Sequence, residues 1–385
     1  MSGESRHTLD AVRILFTFIG GRGHLEPLIP IARAAEGAGH TVGVAGSGNL
    51  GDAIAAAGFL AFPTSEPRTE SREPEPLRKV DPGKEDCDLR ENFARLGARR
   101  HAAAILELAG RWQPDVVVRD EVDFGAAVAA ERLRLPCVSV VVLAAGGFLR
   151  KSLVAEPLHA LRDAYGLPAD PELVMLDGGL VLSPFPRRLR DPEAPLPPGA
   201  ISFRPGAVTE PSPAAKRPTV YFTLGTVFTP HDLSATVLDG LSRLPVDVIA
   251  TVGADGDPAA FGPRTKHMRI ERYIPQGEVL PTCDLVISHG GSGSIMGALA
   301  HGLPSILMPL GADQPYNARR CVALGVAREV EPATVTPEQI RVAVAGMLAD
   351  DRYRRAAERI REEINALPGA DQMVPLLERL AVSPT

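Results

Sequence analysis

The stretch DLVISHGGSGSIMGALAHGLP, residues 284–304, decides the fold. Its first part reads as a strand buried on both faces and ending at Ser288. Gly290, Gly291 and Gly293 then form a tight turn, and a helix begins near Ser294. An aliphatic strand that runs through a glycine turn into a helix is the repeating unit of a parallel sheet covered on both sides. Free N–H groups at the helix start, with the positive end of its dipole, make an anion site. His289 stands at the strand tip, where its ring can donate to the same anion. A sterically required glycine turn with a capping serine accounts for the same residues and stays open. Beyond the next strand come Asp313 and Gln314, a carboxylate and an amide suited to several hydroxyls, although an aspartate there also suits the N-cap of the helix that follows.

Working outward, the same alternation fills the second half of the chain. Strands are expected at 219–224, 246–251, 267–272, 305–308 and 327–330, and helices near 233–241, 315–324, 337–348 and 352–366. The first half opens with a strand at 12–18, the turn Gly20-Gly21-Arg22-Gly23-His24, a helix at 27–37 and a strand at 41–45. The unit returns as a strand at 115–118, a helix at 124–133 and a strand at 137–143. Residues 64–90, rich in charge and proline, read as a long mobile loop with no chemistry placed on it. A proline-rich break near 191–218 divides the chain. The division predicts an N-terminal domain at 1–205, a linker at 206–218 and a C-terminal domain at 219–385, with the last helix free to pack back on the first domain. The fold class is α/β: two doubly wound domains facing a central cleft, with ligands outside the carboxyl ends of both sheets.

Composition agrees with this and excludes other classes. The 385 residues exceed what one core serves, so two domains are the default. A net charge of -6 lacks the electrostatic footprint of nucleic-acid binding. No segment has the length and apolarity of a membrane span or a leader, so a soluble, cytoplasmic protein without integral membrane contact is expected. Cys87, Cys137, Cys283 and Cys321 form no paired metal spacing and are expected to be reduced. Asp86-Cys87-Asp88 and Asp255-Gly256-Asp257 read as solvated turns rather than metal ligands. A dinucleotide fingerprint fails in the first half: Glu26 stands where a third glycine belongs, and the second strand ends without an acidic residue. There remains His24 at the mouth of the cleft, with a near-neutral pKa suited to general-base work. Alone it would be an ordinary, partly exposed polar residue; Asp120 and Glu121, at the end of a neighbouring strand, change that reading.

The combination resembles the family 1, nucleotide-sugar-dependent glycosyltransferases of the GT-B fold, in particular the actinomycete enzymes that decorate antibiotics. Residues 272–318, RYIPQGEVLPTCDLVISHGGSGSIMGALAHGLPSILMPLGADQPYNA, are similar to the family's donor-binding signature. Residues 20–42 are similar to its acceptor-side start, and 220–228 to the first strand and turn of its donor domain. The resemblance implies that His289 binds the α-phosphate and that Gly291, Ser292, Gly293 and Ser294 cradle the diphosphate through backbone and hydroxyl donors. Gly225 and Thr226 would approach the phosphates, Ile274 and Gln276 the base and ribose, and Asp313 and Gln314 the sugar hydroxyls. His24 matches the catalytic base and Asp120 the aspartate that orients it. Tyr273 stands where plant members carry Trp.

The implied activity is inverting, metal-independent transfer of a sugar from a TDP- or UDP-sugar to a hydroxyl of a small hydrophobic natural product. The nucleotide sugar is a co-substrate, and no cofactor is expected. A homodimer is left open. Two other classes remain: a non-catalytic partner protein of the same fold, and a nucleotide-sugar epimerase, which would need no acceptor pocket. The acceptor pocket is expected to include the charged loop and the apolar segment 144–161.

Overall fold

The computed structural model describes residues 11–67, 77–207, 217–225, 230–253, 256–262 and 264–382. Two wholly parallel sheets organise the chain. The first contains β1 (Arg13–Thr17), β2 (Thr41–Gly46), β3 (Leu60–Pro63), β4 (Val116–Asp120), β5 (Cys137–Val140), β6 (Leu180–Ser183) and β7 (Ile201–Ser202), in the order β3-β2-β1-β4-β5-β6-β7. The second contains β8 (Thr219–Thr223), β9 (Asp247–Thr251), β10 (Met268–Glu271), β11 (Leu285–Ser288), β12 (Ser305–Leu307) and β13 (Ala327–Glu329), in the order β10-β9-β8-β11-β12-β13. Each sheet reverses its winding once, between β1 and β4 in the first and between β8 and β11 in the second. Ligands gather beyond the strand ends at such reversals.

The central strands are aliphatic and buried on both faces, as Leu15, Phe16, Val117 and Val118 show in one sheet and Val220, Phe222, Leu285 and Ile287 in the other. Each half has its own core, and a third apolar cluster joins them. Val141, Ala144, Phe185 and Leu189 of the first half pack there with Ile295, Met296, Leu299 and Ile360 of the second. The chain also ends where it began: Met373, Val374 and Leu377 lie in the core of the first half, and Glu378 meets the His40 ring at 2.9 Å. Beside this return, Arg204 donates its backbone N–H to Pro368 O at 2.7 Å, and its guanidinium donates to Asn365 O, also at 2.7 Å.

Most expected elements fall within a residue or two of the observed ones. The helix expected at 27–37 is observed as Ile29–Gly37, and the glycine turn before it contains a short helix of its own, Arg22–Leu25, that carries His24. The largest correction concerns residues 64–90. Asp81 caps a helix over Pro82–Cys87 by accepting the Gly83 and Lys84 N–H groups, and a π-helical stretch, Asp88–Gly97, carries the chain into the helix Ala98–Trp112. Residues 68–76 of the expected loop, and 208–216 of the expected linker, lie outside the described residues. Among the described residues no helix is long and apolar enough to cross a membrane.

Candidate active site

The first winding reversal brings together the turn after β1 and the tip of β4. Gly20 takes φ +106°, and a Cβ there would sit 3.0 Å from the His24 ring, so the turn that presents His24 needs glycine. Asp120 is fully buried. Its Oδ1 accepts the Val122 N–H at 2.7 Å and its Oδ2 the Ile19 N–H at 2.9 Å. His24 Nδ1 lies 3.3 Å from the same Oδ2, off the line of a formed hydrogen bond, so the contact is chiefly one of charge. Burial alone would lower the pKa of this imidazole. Asp120, by charge and contact, with Asp313 and Glu121 beyond it, more than offsets that, and the pKa stands above the ordinary histidine value. Glu121 points elsewhere: one carboxylate oxygen accepts the Val142 and Leu143 N–H groups at 2.7 and 2.6 Å, and burial raises its pKa. Of the two adjacent acids, Asp120 is the neighbour of His24.

The second reversal brings together the turn after β8 and the tip of β11. Gly225, at φ +80°, and Gly291 both lie against the His289 ring, where a Cβ would come within 2.7 and 2.5 Å of it. Among the described residues this ring has no carboxylate beside it and its Nδ1 has no partner, and burial pushes its pKa down to about 4. It is therefore a neutral donor at neutral pH. The helix Ser292–Ala300 starts at Gly291 without a side-chain cap. Its first-turn N–H groups, from Ser292, Gly293 and Ser294, have no helical acceptor. A Cβ on Gly293 would meet nothing within 4 Å, so the space in front of this turn is open. Thr226 lies outside the described residues.

Three expected binding residues are placed differently from their simplest reading. The Ser292 hydroxyl turns away from the open space: it accepts the Ala144 N–H of the first half at 2.9 Å and donates to Asp313 Oδ2 at 2.8 Å. It is thus occupied between the halves, and only the Ser292 backbone remains for an anion. Asp313 holds the N-cap position of the helix Gln314–Ala323 but makes no capping bond. Its carboxylate goes instead to Ser292 and Asn317. Burial raises its pKa, against the hydrogen bonds from Ser292 and Asn317 and the nearby His24 charge. Gln314 spends its amide oxygen on the Leu310 and Gly311 N–H groups, at 2.7 and 3.2 Å. Ile274 buries its side chain against Tyr221, Val279 and Leu280, leaving its main chain for a ligand. Gln276 opens a short helix and packs over Gly297, while Tyr273 is 56 % exposed beside it.

Three residues of the site were not anticipated. Phe93, on the π-helical stretch, stacks on the His24 ring with centroids 6.1 Å apart and planes at 29°. Glu85, from the stretch expected to carry no chemistry, accepts the Ala312 N–H at 2.7 Å. Ala312 has φ +53°, a left-handed conformation that favours glycine. Asp86 alongside pairs with Arg150, which also donates to the Tyr316 hydroxyl at 2.8 Å. Asn317, 1 % exposed, is the third. Asp86 and Asp88 lie on the helical run 82–97 and not in the solvated turn expected: Asp86 pairs with Arg150 and Asp88 accepts from Asn92, whereas Asp257 caps the turn at Ala259 and Asp255 lies outside the described residues.

Comparison with known proteins fits this arrangement. Residues 235–380 match the family described as "Erythromycin biosynthesis protein CIII-like, C-terminal domain". The 10-deoxymethynolide desosaminyltransferase of Streptomyces venezuelae is 30 % identical, over 96 % of this chain and 97 % of its own length. Tylactone mycaminosyltransferase of Streptomyces fradiae is 28 % identical, over 96 % and 92 %. Among solved structures, the glycosyltransferase VinC in complex with dTDP superposes with a TM-score of 0.74 at 25 % identity, covering 96 % of this chain and 99 % of its own. The glycosyltransferase SnogD from Streptomyces nogalater superposes at 0.76 and 28 %, covering 97 % and 100 %.

Proposed function

This chain belongs to the GT-B glycosyltransferases that decorate actinomycete antibiotics, and from that premise we propose that it moves a sugar from a TDP- or UDP-sugar to a hydroxyl of a small hydrophobic natural product, with inversion and without a metal. The observation that carries the reading is the facing of the two winding reversals: Ser292, just after the tip of β11, accepts the Ala144 N–H of the first half and donates to Asp313, whose charge in turn acts on His24 beside Asp120.

His24 takes the proton of the acceptor hydroxyl as that oxygen attacks the anomeric carbon. Asp120, anchored by two backbone N–H groups, orients the imidazole and stabilises its charged form. On the opposite side the diphosphate leaves against the neutral His289 ring and the N–H groups of Ser292, Gly293 and Ser294, with Gly225 and Gly291 permitting close approach and Thr226 assigned to the phosphates by the family resemblance alone. Asp313, through its remaining oxygen, and the Gln314 amide hold sugar hydroxyls. The Ile274 main chain and Gln276 meet the base and ribose, next to Tyr273. A base and a leaving-group site on opposed sheets suit a single in-line displacement, which inverts the anomeric centre. The apolar acceptor lies in the first half, against Phe93 and the segment around Phe148.

Because the VinC structure contains dTDP, thymidine donors come first in the test. The protein is incubated with TDP- and UDP-hexoses, with and without a panel of aromatic and macrocyclic acceptors, and products are read by mass and anomeric configuration. Transfer with inverted configuration is expected. Retained configuration, an epimerised free donor, or loss of transfer on chelation would each overturn the corresponding part of the reading.

A further inference from the structure

We infer that Asn317 is a positioning residue that makes the orientation of the Asp313 carboxylate depend on contact between the two halves. The inference rests on the reading of Asp313 as a sugar-holding group.

Asn317 lies on the helix Gln314–Ala323, one turn after Asp313. Its Oδ1 accepts the backbone N–H of Ala145, from the first half, at 3.0 Å. Its amide hydrogens go to the second half: Gly290 O at 3.0 Å, Asp313 Oδ2 at 2.7 Å and Ser292 Oγ at 3.2 Å. Ser292 repeats the pattern, accepting from Ala144 and donating to the same Asp313 oxygen. Two consecutive N–H groups of the first half thus meet the two side chains that hold Asp313 Oδ2. With that oxygen held by two donors, Oδ1 is the one left for a ligand.

An amide side chain has a fixed plane, so accepting from Ala145 on one edge sets where its N–H groups point on the other. Without that lock, Asp313 has a competing conformation. It sits at an N-cap, where an aspartate turns back to the N–H of the third helical residue, here Tyr316. The present carboxylate does not do this. The Ala144–Ala145 turn leads directly into Gly146 and Gly147, both at positive φ, and into the acceptor-side segment with Phe148. Seating that turn and aiming Asp313 are then one event, and the sugar is gripped only when the first half is docked.

The test separates sugar recognition from nucleotide recognition. Affinities for TDP and UDP, and for TDP-glucose and UDP-glucose, are measured by calorimetry on the full chain, wild type and Asn317→Ala. The variant's preference for the glucose conjugate over the sugar-free diphosphate is expected to fall by roughly tenfold, the scale of one hydrogen bond to a charged group, whatever affinity for the diphosphate itself it keeps. An unchanged preference, with any loss shared equally by both ligands, would make Asn317 a strut between the halves and overturn the inference. Asn317→Asp carries the same test if the alanine variant does not fold, because its oxygen still accepts from Ala145 while the donor to Asp313 is gone. Ser292→Ala should reproduce the direction of the effect. Failure of the wild type to bind any of the four nucleotides would instead overturn the donor-site reading beneath the inference.

Discussion

Two histidines stand at the winding reversals of the two sheets, His24 after β1 and His289 after β11, and they have been tuned in opposite directions. His24 has a buried carboxylate 3.3 Å away and a raised pKa. His289 has two glycines against its ring, no neighbouring acid among the described residues and a pKa of about 4. The two winding reversals therefore supply a proton acceptor on one side of the cleft and a neutral hydrogen-bond donor on the other. The difference comes from the neighbouring strand: β4 ends in Asp120, whereas β8 leads to Gly225.

The comparison predicts that the two rings fail differently. His24→Ala should lower the turnover number for transfer by about 100- to 10,000-fold and leave the affinity for TDP or UDP unchanged. His289→Ala should instead weaken diphosphate binding by about 10- to 100-fold, the size of one hydrogen bond to a charged group. Steady-state kinetics with calorimetry would break the comparison if both variants lost the same quantity.

Asp120→Asn sharpens it. His24 works as a base only when neutral, and Asp120 raises its pKa, so activity falls as pH drops through that raised value. Removing the charge lowers the pKa. The acid limb of the turnover profile should move to lower pH, while the plateau falls by roughly 100-fold as the oriented, stabilised imidazolium is lost. A limb that stays in place would detach Asp120 from His24. The smallest effect is structural: Gly225→Ala should destabilise the protein by about 1–2 kcal/mol, since φ is +80° there and the new Cβ would press on His289. A melting curve identical to wild type would show that the ring yields.

The parts of the site built from backbone were largely legible in the sequence, because a close approach or a strongly positive φ favours glycine. Gly20, Gly225, Gly290 and Gly291 mark both turns, and the buried strands announce themselves by unbroken aliphatic runs. What escaped depends on contact between the halves. Asn317 and Glu85 are ordinary helix-surface residues until the other half arrives, and Asp313 looks like a cap because the groups that claim it are distant in sequence or one helical turn away. Phe93 sits in a stretch whose charge masks its helical path. The helix Ala98–Trp112 is a different case: Ala98, Ala102, Ile105, Leu108 and Trp112 form a clear buried face, so its signal was present in the sequence.

The return of the chain to its first half has a mechanical consequence. Two segments, not one, pass between the halves, and where they run side by side Arg204 is hydrogen-bonded to Asn365 and Pro368. Such a doubled and clamped crossing restrains how the two halves can shift against each other more than a single tether would.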